Sequence, residues 1–274
     1  MNDLEYQRTV AFNNHAVALL KAGDLQTSLS LFRGALQSTI GLLDGSSECP
    51  SATPQEIQAC PSRCGVIGTS RSCDSSLGQG QQQHIQAHLQ VQDQPFHSDS
   101  FQEIEGDAIN QFAFVRALNL IPLRNVYSED PLVNLSIVSS IVLFNLSIVY
   151  HRQGLAQEME CQARLAQENL YKAQSLYAKA QALLMESRIS TTESHGHAVI
   201  DILNMAIYNN LAQSYHIQAN FAASKHYFGL LVRYASSVIP ELHDPDTANL
   251  LEWHKSFFLL NAFALQPPAA ASAA

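Results

Sequence analysis

Three asparagines recur in similar surroundings along this chain of 274 residues, and their side chains could bind a polypeptide backbone. Asn14, Asn145 and Asn210 each follow a large apolar residue by two positions and precede a small residue by two. A carboxamide offers both a hydrogen-bond donor and an acceptor, which match the two polar groups of a peptide unit. Such self-similarity is typical of a repeat architecture, and repeat folds usually present a binding surface.

Helical periodicity predicts the elements that position these asparagines. Residues 3–43 are predicted to form a helix pair that turns at Gly23, since glycine suits a left-handed helix stop. Asp130 and Pro131 predict a helix start, and that helix is expected to end at Gly154. Further helices are expected to about residue 188, over 198–218 and 221–238, and over about 246–264.

Composition divides the chain into parts of different character. The stretch 44–104 is rich in Gln, Ser and Cys and poor in apolar residues, so we predict a disordered insertion. Within 105–127, apolar residues of one parity predict a short hairpin or an extended segment. The predicted domain list is a helix pair over 1–43, the insertion over 44–104, the segment over 105–127, helix pairs with a C-terminal capping helix over 128–266, and a disordered tail over 267–274.

The helix pairs resemble tetratricopeptide (TPR) repeats, which have large, small and Tyr positions on one helix, a Gly at the turn, and Ala and Phe positions on the next. In the middle pair, the second-helix positions come fourteen residues late, which predicts a second helix lengthened by about four turns. The later part of the chain also resembles uncharacterised TPR-like proteins of microalgae, a likeness that implies no activity. The residues that carry the TPR resemblance are Phe12, His15, Ala16, Leu19, Gly23, Leu25, Ser28, Phe32 and Ala35; Leu143, Leu146, Ser147, Tyr150, Gly154, Ala173, Tyr177 and Ala180; and Tyr208, Leu211, Ala212, Tyr215, Ala219, Phe221, Ser224, Phe228 and Leu231.

The resemblance implies a mostly α-helical solenoid of antiparallel helix pairs. Such a solenoid is expected to act as a non-enzymatic adaptor or scaffold that binds a peptide segment or a helix in its concave groove. It places Asn14, Asn145 and Asn210 on the concave face, where asparagines of some peptide-binding superhelices form a ladder along an extended peptide. A groove of this kind predicts that the three side chains are aligned and accessible to solvent. A clamp for a peptide carboxylate is not expected, because none of the positions where such clamps carry bases is basic here: they are Asn13, Val17, Ala206 and Asn210.

Charge and hydropathy exclude several classes of partner. The net charge is −9 and the pI about 5.6, which argue against binding to nucleic acid or to anionic lipid. The uncharged run between Asp130 and Arg152 approaches a membrane-spanning length, but its Asn and Ser residues favour a buried helix instead. No secretory signal is visible at the N-terminus, so an intracellular location is expected.

No residue pattern predicts catalysis, a metal site or a cofactor. Cys60, Cys64, His84 and His88 imitate a zinc pattern, but their spacing fits common zinc modules poorly. We recognise no phosphate loop, dinucleotide fingerprint or nucleophile paired with a histidine. The chain is therefore expected to have no enzymatic activity and to bind an unidentified protein.

The last predicted helix carries more apolar surface than a terminal cap needs. Leu250, Trp253, Phe257 and Leu260 are expected to form its inner face, whereas Phe258 and Leu259 point elsewhere. This surplus could meet the segment 105–127, a partner or a second copy, which makes Trp253, Phe258 and Leu259 a candidate interface. The alternative function is thus a structural subunit of a larger assembly or homo-oligomer, and the sequence leaves the oligomeric state open.

Overall fold

The computed structural model describes residues 3–44, 113–120, 130–190, 198–238 and 245–265. Within these ranges the protein has seven helices and no strand, so the prediction of a mostly α-helical fold is confirmed. Almost all of the predicted insertion and the whole predicted tail lie outside the described residues. The helices are α1 (Asp3–Lys21), α2 (Leu25–Asp44), α3 (Pro131–Met159), α4 (Ala163–Ser190), α5 (Ala198–Ile217), α6 (Phe221–Ser237) and α7 (Pro245–Ala264).

Three antiparallel hairpins, α1–α2, α3–α4 and α5–α6, turn through the same backbone geometry. The turn residues Gly23, Cys161 and Ala219 have φ angles of 87°, 59° and 57°. In each turn the left-handed residue donates its N–H three residues back, and the next residue donates five residues back. This bond pair satisfies carbonyls at the helix end. Only the first turn uses glycine, so the other two hold a side chain in a disfavoured region.

The middle hairpin is longer than the other two, and its turn is displaced from the predicted position. The prediction that α3 ends at Gly154 is wrong, because α3 continues to Met159 and turns at Cys161. Gly154 instead lets α4 approach, since a Cβ there would lie only 2.8 Å from Leu170 Cγ. From the recurring asparagine to the turn residue there are sixteen positions in this hairpin and nine in each of the other two. The extra length is therefore shared by both helices, not confined to the second.

Helix α3 is buried on nearly all sides, which explains its uncharged sequence. Asp130 caps its N-terminus by accepting the N–H of Leu132 at 2.8 Å, as predicted. Of the described helices, only α3 is long and apolar enough to cross a membrane, but 89% of its apolar window is buried inside the protein. Burial among neighbouring helices, including α2 and α4, accounts for that composition.

Packing follows chain order and brings α1, α3 and α5 together on one side. Helix α2 packs on α3 and α4 packs on α5, while α7 lies against α5 and α6. Arg33 donates to the Tyr150 hydroxyl at 2.6 Å and Arg152 donates to the Leu20 carbonyl at 2.9 Å, which ties the first hairpin to α3. Apolar residues three or four positions apart along α4 are fully buried: Ala166, Leu170, Ala173, Tyr177, Ala180 and Leu184.

The face that helix α7 presents to the core includes Phe257, as predicted, but not Trp253 or Leu260. Phe258 is fully buried, whereas Trp253 and Leu260, both expected on the inner face, are 43% and 69% exposed. Leu259 is half-buried against the core. The prediction failed because α7 is apolar on several sides, and its inner face is set by contacts with α5, with α6 and with residues 113–120.

Candidate functional site

The three recurring asparagines are aligned along one segment of their own chain, residues 113–120. Asn210 on α5 accepts the N–H of Phe114 at 2.9 Å and donates to its carbonyl at 3.0 Å. Asn145 on α3 makes the same pair of bonds with Leu118, both at 2.8 Å. Asn14 on α1 makes them with Leu120, at 2.7 and 2.9 Å. Each carboxamide thus binds both polar groups of one backbone residue.

This pattern requires an extended backbone. In extended chain the N–H and C=O of one residue point to the same edge, and alternate residues share that edge. The three bound residues, Phe114, Leu118 and Leu120, have the same parity and are all buried, whereas Asn119 is exposed. Of the two structures predicted within 105–127, the described part therefore adopts the extended one.

A second set of asparagines fixes the orientation of the first. Asn145 donates to Asn13 at 2.8 Å, and Asn13 donates both to the Leu118 carbonyl and to Asn14. Asn209 donates to Asn210 at 3.1 Å and accepts from Asn261 on α7 at 3.0 Å. Because these bonds distinguish the amide oxygen from the nitrogen, each groove carboxamide faces the backbone with its acceptor and donor correctly placed.

These supporting residues were not predicted from the sequence to belong to the site. The signal that could have found two of them is the pairing of adjacent asparagines at 13–14 and 209–210. Asn261 carries no such signal, because it lies far along the chain on a helix whose inner face was predicted incorrectly.

A buried tyrosine and histidine extend the network behind Asn210. Asn210 donates to the Tyr177 hydroxyl at 3.0 Å, and that hydroxyl lies 3.3 Å from His151 Nδ1. Burial raises the pKa of Tyr177 well above its usual range and lowers the pKa of His151 to about 4. Both groups are therefore neutral at pH 7, and they can hydrogen-bond without placing a charge in the core.

The Phe114 ring fills an aromatic pocket between α3 and α7. Its centroid lies 5.2 Å from that of Phe258, 5.7 Å from His254 and 6.3 Å from Phe144. These separations are in the range of favourable ring contacts, and Phe114 is only 4% exposed. Phe258, a predicted interface residue, thus contacts the segment itself, which was one of the alternatives left by the sequence.

The remaining side chains of the segment have distinct surroundings. Arg116 lies over the Trp253 ring, 5.5 Å from its centroid, and partial burial lowers the pKa of its guanidinium, which stays charged. Leu118 and Leu120 join the hydrophobic core. The segment is therefore bound through its backbone by amides and through its side chains by an aromatic pocket, an aromatic face and apolar sites.

The predicted solvent accessibility of the asparagines is wrong for two of the three. Asn145 and Asn210 are fully buried, and Asn14 is half-buried. The physical reason is that the segment 113–120 covers them. The three side chains are aligned, and they hydrogen-bond to the protein's own backbone.

Among the described residues, the other candidates do not form a second site. Cys60, Cys64, His84 and His88 lie outside the described residues. Within the described ranges, no three His, Cys, Asp or Glu residues cluster as a metal site would require. Val17 and Ala206, the positions where a carboxylate clamp would carry bases, are buried in the core.

Comparison with known proteins found no matching family model, no matching curated protein and no matching solved structure.

Proposed function

We propose that the protein is a non-enzymatic adaptor that binds an extended segment of a partner protein in the groove lined by Asn14, Asn145 and Asn210. The observation that carries this proposal is the pairing of each carboxamide with both polar groups of one backbone residue. Such bonds read an extended backbone without requiring particular side chains. A TPR-like arrangement of the three hairpins belongs to this proposal, and their common turn geometry supports it.

The segment 113–120 then acts as an internal ligand that a partner must displace. A groove filled by its own chain binds partners more weakly, because only the open fraction of molecules is competent. The proposed partner is an intracellular protein, and no catalytic step, cofactor or metal is part of the function.

A direct test uses the full chain with its internal ligand weakened by Phe114→Ser and Leu118→Ser, here called the opened variant. The probe is a fluorescent, terminally blocked peptide of residues 113–120, and its anisotropy is measured as protein is added. We expect saturable binding to the opened variant and at least tenfold weaker binding to the wild type.

The control for the groove adds Asn145→Ala to the opened variant, which should abolish peptide binding. The matched control adds Asn169→Ala, because Asn169 bonds to Gln157 away from the segment and its loss should leave binding unchanged. Absence of binding to an opened variant whose circular dichroism remains helical would overturn the proposal.

A structural subunit is the second candidate function, and the outer face of α7 favours it. Leu260 and Phe263 are 69% and 65% exposed on this helix, which is more apolar exposure than a terminal cap needs. This function predicts an oligomer in sedimentation velocity that Leu260→Ser with Phe263→Ser converts to monomer. A monomeric wild type would exclude a homo-oligomer formed through this face.

A further inference from the structure

The segment 113–120 shows which side chains the groove accepts, because the asparagines hold it in one register. The bound residues Phe114, Leu118 and Leu120 lie at relative positions 1, 5 and 7. At about 3.3 Å per residue, these positions span about 20 Å across α5, α3 and α1. A ligand that pairs with all three asparagines must place its own side chains in the same sites.

The site at position 1 selects a ring. The pocket around Phe114 is formed by Phe144 of α3 and by His254, Phe257 and Phe258 of α7, with centroids between 5.2 and 6.4 Å away. A smaller side chain would leave a void beside these rings, and the rings would lose van der Waals contacts on that side. Position 1 is therefore the main anchor.

The site at position 3 selects a base. Arg116 stacks over Trp253, and the protein as a whole carries a net charge of −9. An acidic residue at this position would face the negative surface of the ring and a negatively charged protein. Positions 5 and 7 lie in apolar sites that hold Leu118 and Leu120 at 5% and 1% exposure.

We propose that the partner is an extended segment with an aromatic residue, a basic residue two positions later, and leucine-sized residues four and six positions after the aromatic one. The partner competes with residues 113–120 for the same groove. This inference rests on the proposed function and adds the side-chain selectivity that the backbone bonds alone do not give.

The test compares four blocked peptides of residues 113–120 against the opened variant. They are the parent sequence and the analogues Phe114→Ala, Arg116→Glu and Asn119→Ala. We expect the first analogue to bind about 100-fold more weakly, as truncation of a buried ring predicts, and the second about 3- to 10-fold more weakly. The third should bind within about twofold of the parent, because Asn119 is exposed.

The outcomes separate this inference from the proposed function. Failure of the parent peptide to bind a folded opened variant would overturn the proposed function. Binding of the parent with all analogues within about twofold would overturn the side-chain inference and leave backbone reading intact. Dimers that exchange residues 113–120 between two copies, and that the peptide does not dissociate, would overturn the inference of a partner protein. The occupant of the groove would then be a second copy of this chain.

A second measurement is used if the opened variant does not fold. The same four peptides are then titrated against the wild-type chain, where competition weakens every affinity by a common factor and preserves their order. The same rank order supports the inference, and equal affinities overturn it.

Discussion

Truncation of Asn145 tests whether the asparagines hold the segment as the distances indicate. In Asn145→Ala, the Leu118 carbonyl keeps its bond from Asn13, but the Leu118 N–H and the Asn13 Oδ1 atom lose their partner in Asn145. Both groups lie in the buried centre of the network. At about 1–3 kcal/mol for each unsatisfied buried group, the expected loss is about 4 kcal/mol of unfolding free energy.

The assay is urea denaturation at pH 7, followed by circular dichroism, with two comparison variants. Asn14→Ala should lose less than half as much, because Asn14 is half-buried and water can replace its bonds. Asn169→Ala should change the free energy by less than about 0.5 kcal/mol, since it lies away from the groove. A loss below about 1 kcal/mol for Asn145→Ala, or one equal to that of Asn14→Ala, would refute the reasoning.

Three further predictions concern the scaffold that positions the groove. Gly154→Ala should destabilise the protein by about 1–3 kcal/mol in urea denaturation, because the new Cβ would lie 2.8 Å from Leu170 Cγ. The control is Gly229→Ala, whose new Cβ would meet nothing within 4 Å and which should stabilise the protein by about 0.5–1 kcal/mol. Ala219→Gly should raise the unfolding free energy by about 1 kcal/mol by relieving a φ of 57°; a decrease would show that the turn is not left-handed. Burial lowers the pKa of His151 to about 4, so the unfolded state binds more protons than the folded state below about pH 6.5. The free energy of unfolding should therefore fall by up to about 3 kcal/mol as the pH drops from 6.5 to 4. His151→Gln should make this pH dependence weaker, and an unchanged pH dependence would contradict the assignment.

Local signals predicted the helices well where the chain uses common cap chemistry. Asp130 and Pro131 begin α3 as expected, and Gly23 ends α1. The end of α3 was missed because Gly154 is used for close helix packing, and the turn falls on Cys161, a residue with no turn preference. A glycine that allows two helices to approach cannot be told from a helix stop until the partner helix is known.

The alignment of Asn14, Asn145 and Asn210 could be predicted because their surroundings repeat in the sequence. The segment that these asparagines bind could not be predicted. Asn14 and Leu120 are 106 residues apart, and no local sequence signal indicates their contact. The inner face of α7 depends in part on the same segment, because Phe258 packs against Phe114. Long-range pairing therefore decided both of the features that the sequence left open.

Amide hydrogen exchange along residues 113–120 tests the central claim most directly, because alternate N–H groups differ in their bonding. We expect slow exchange at Leu118 and Leu120, whose N–H groups donate hydrogen bonds to Asn145 and Asn14, and faster exchange at Ala117 and Asn119. In Asn145→Ala the protection at Leu118 should be lost. Equal exchange rates at all four amides, or protection at Leu118 that survives Asn145→Ala, would contradict the asparagine ladder.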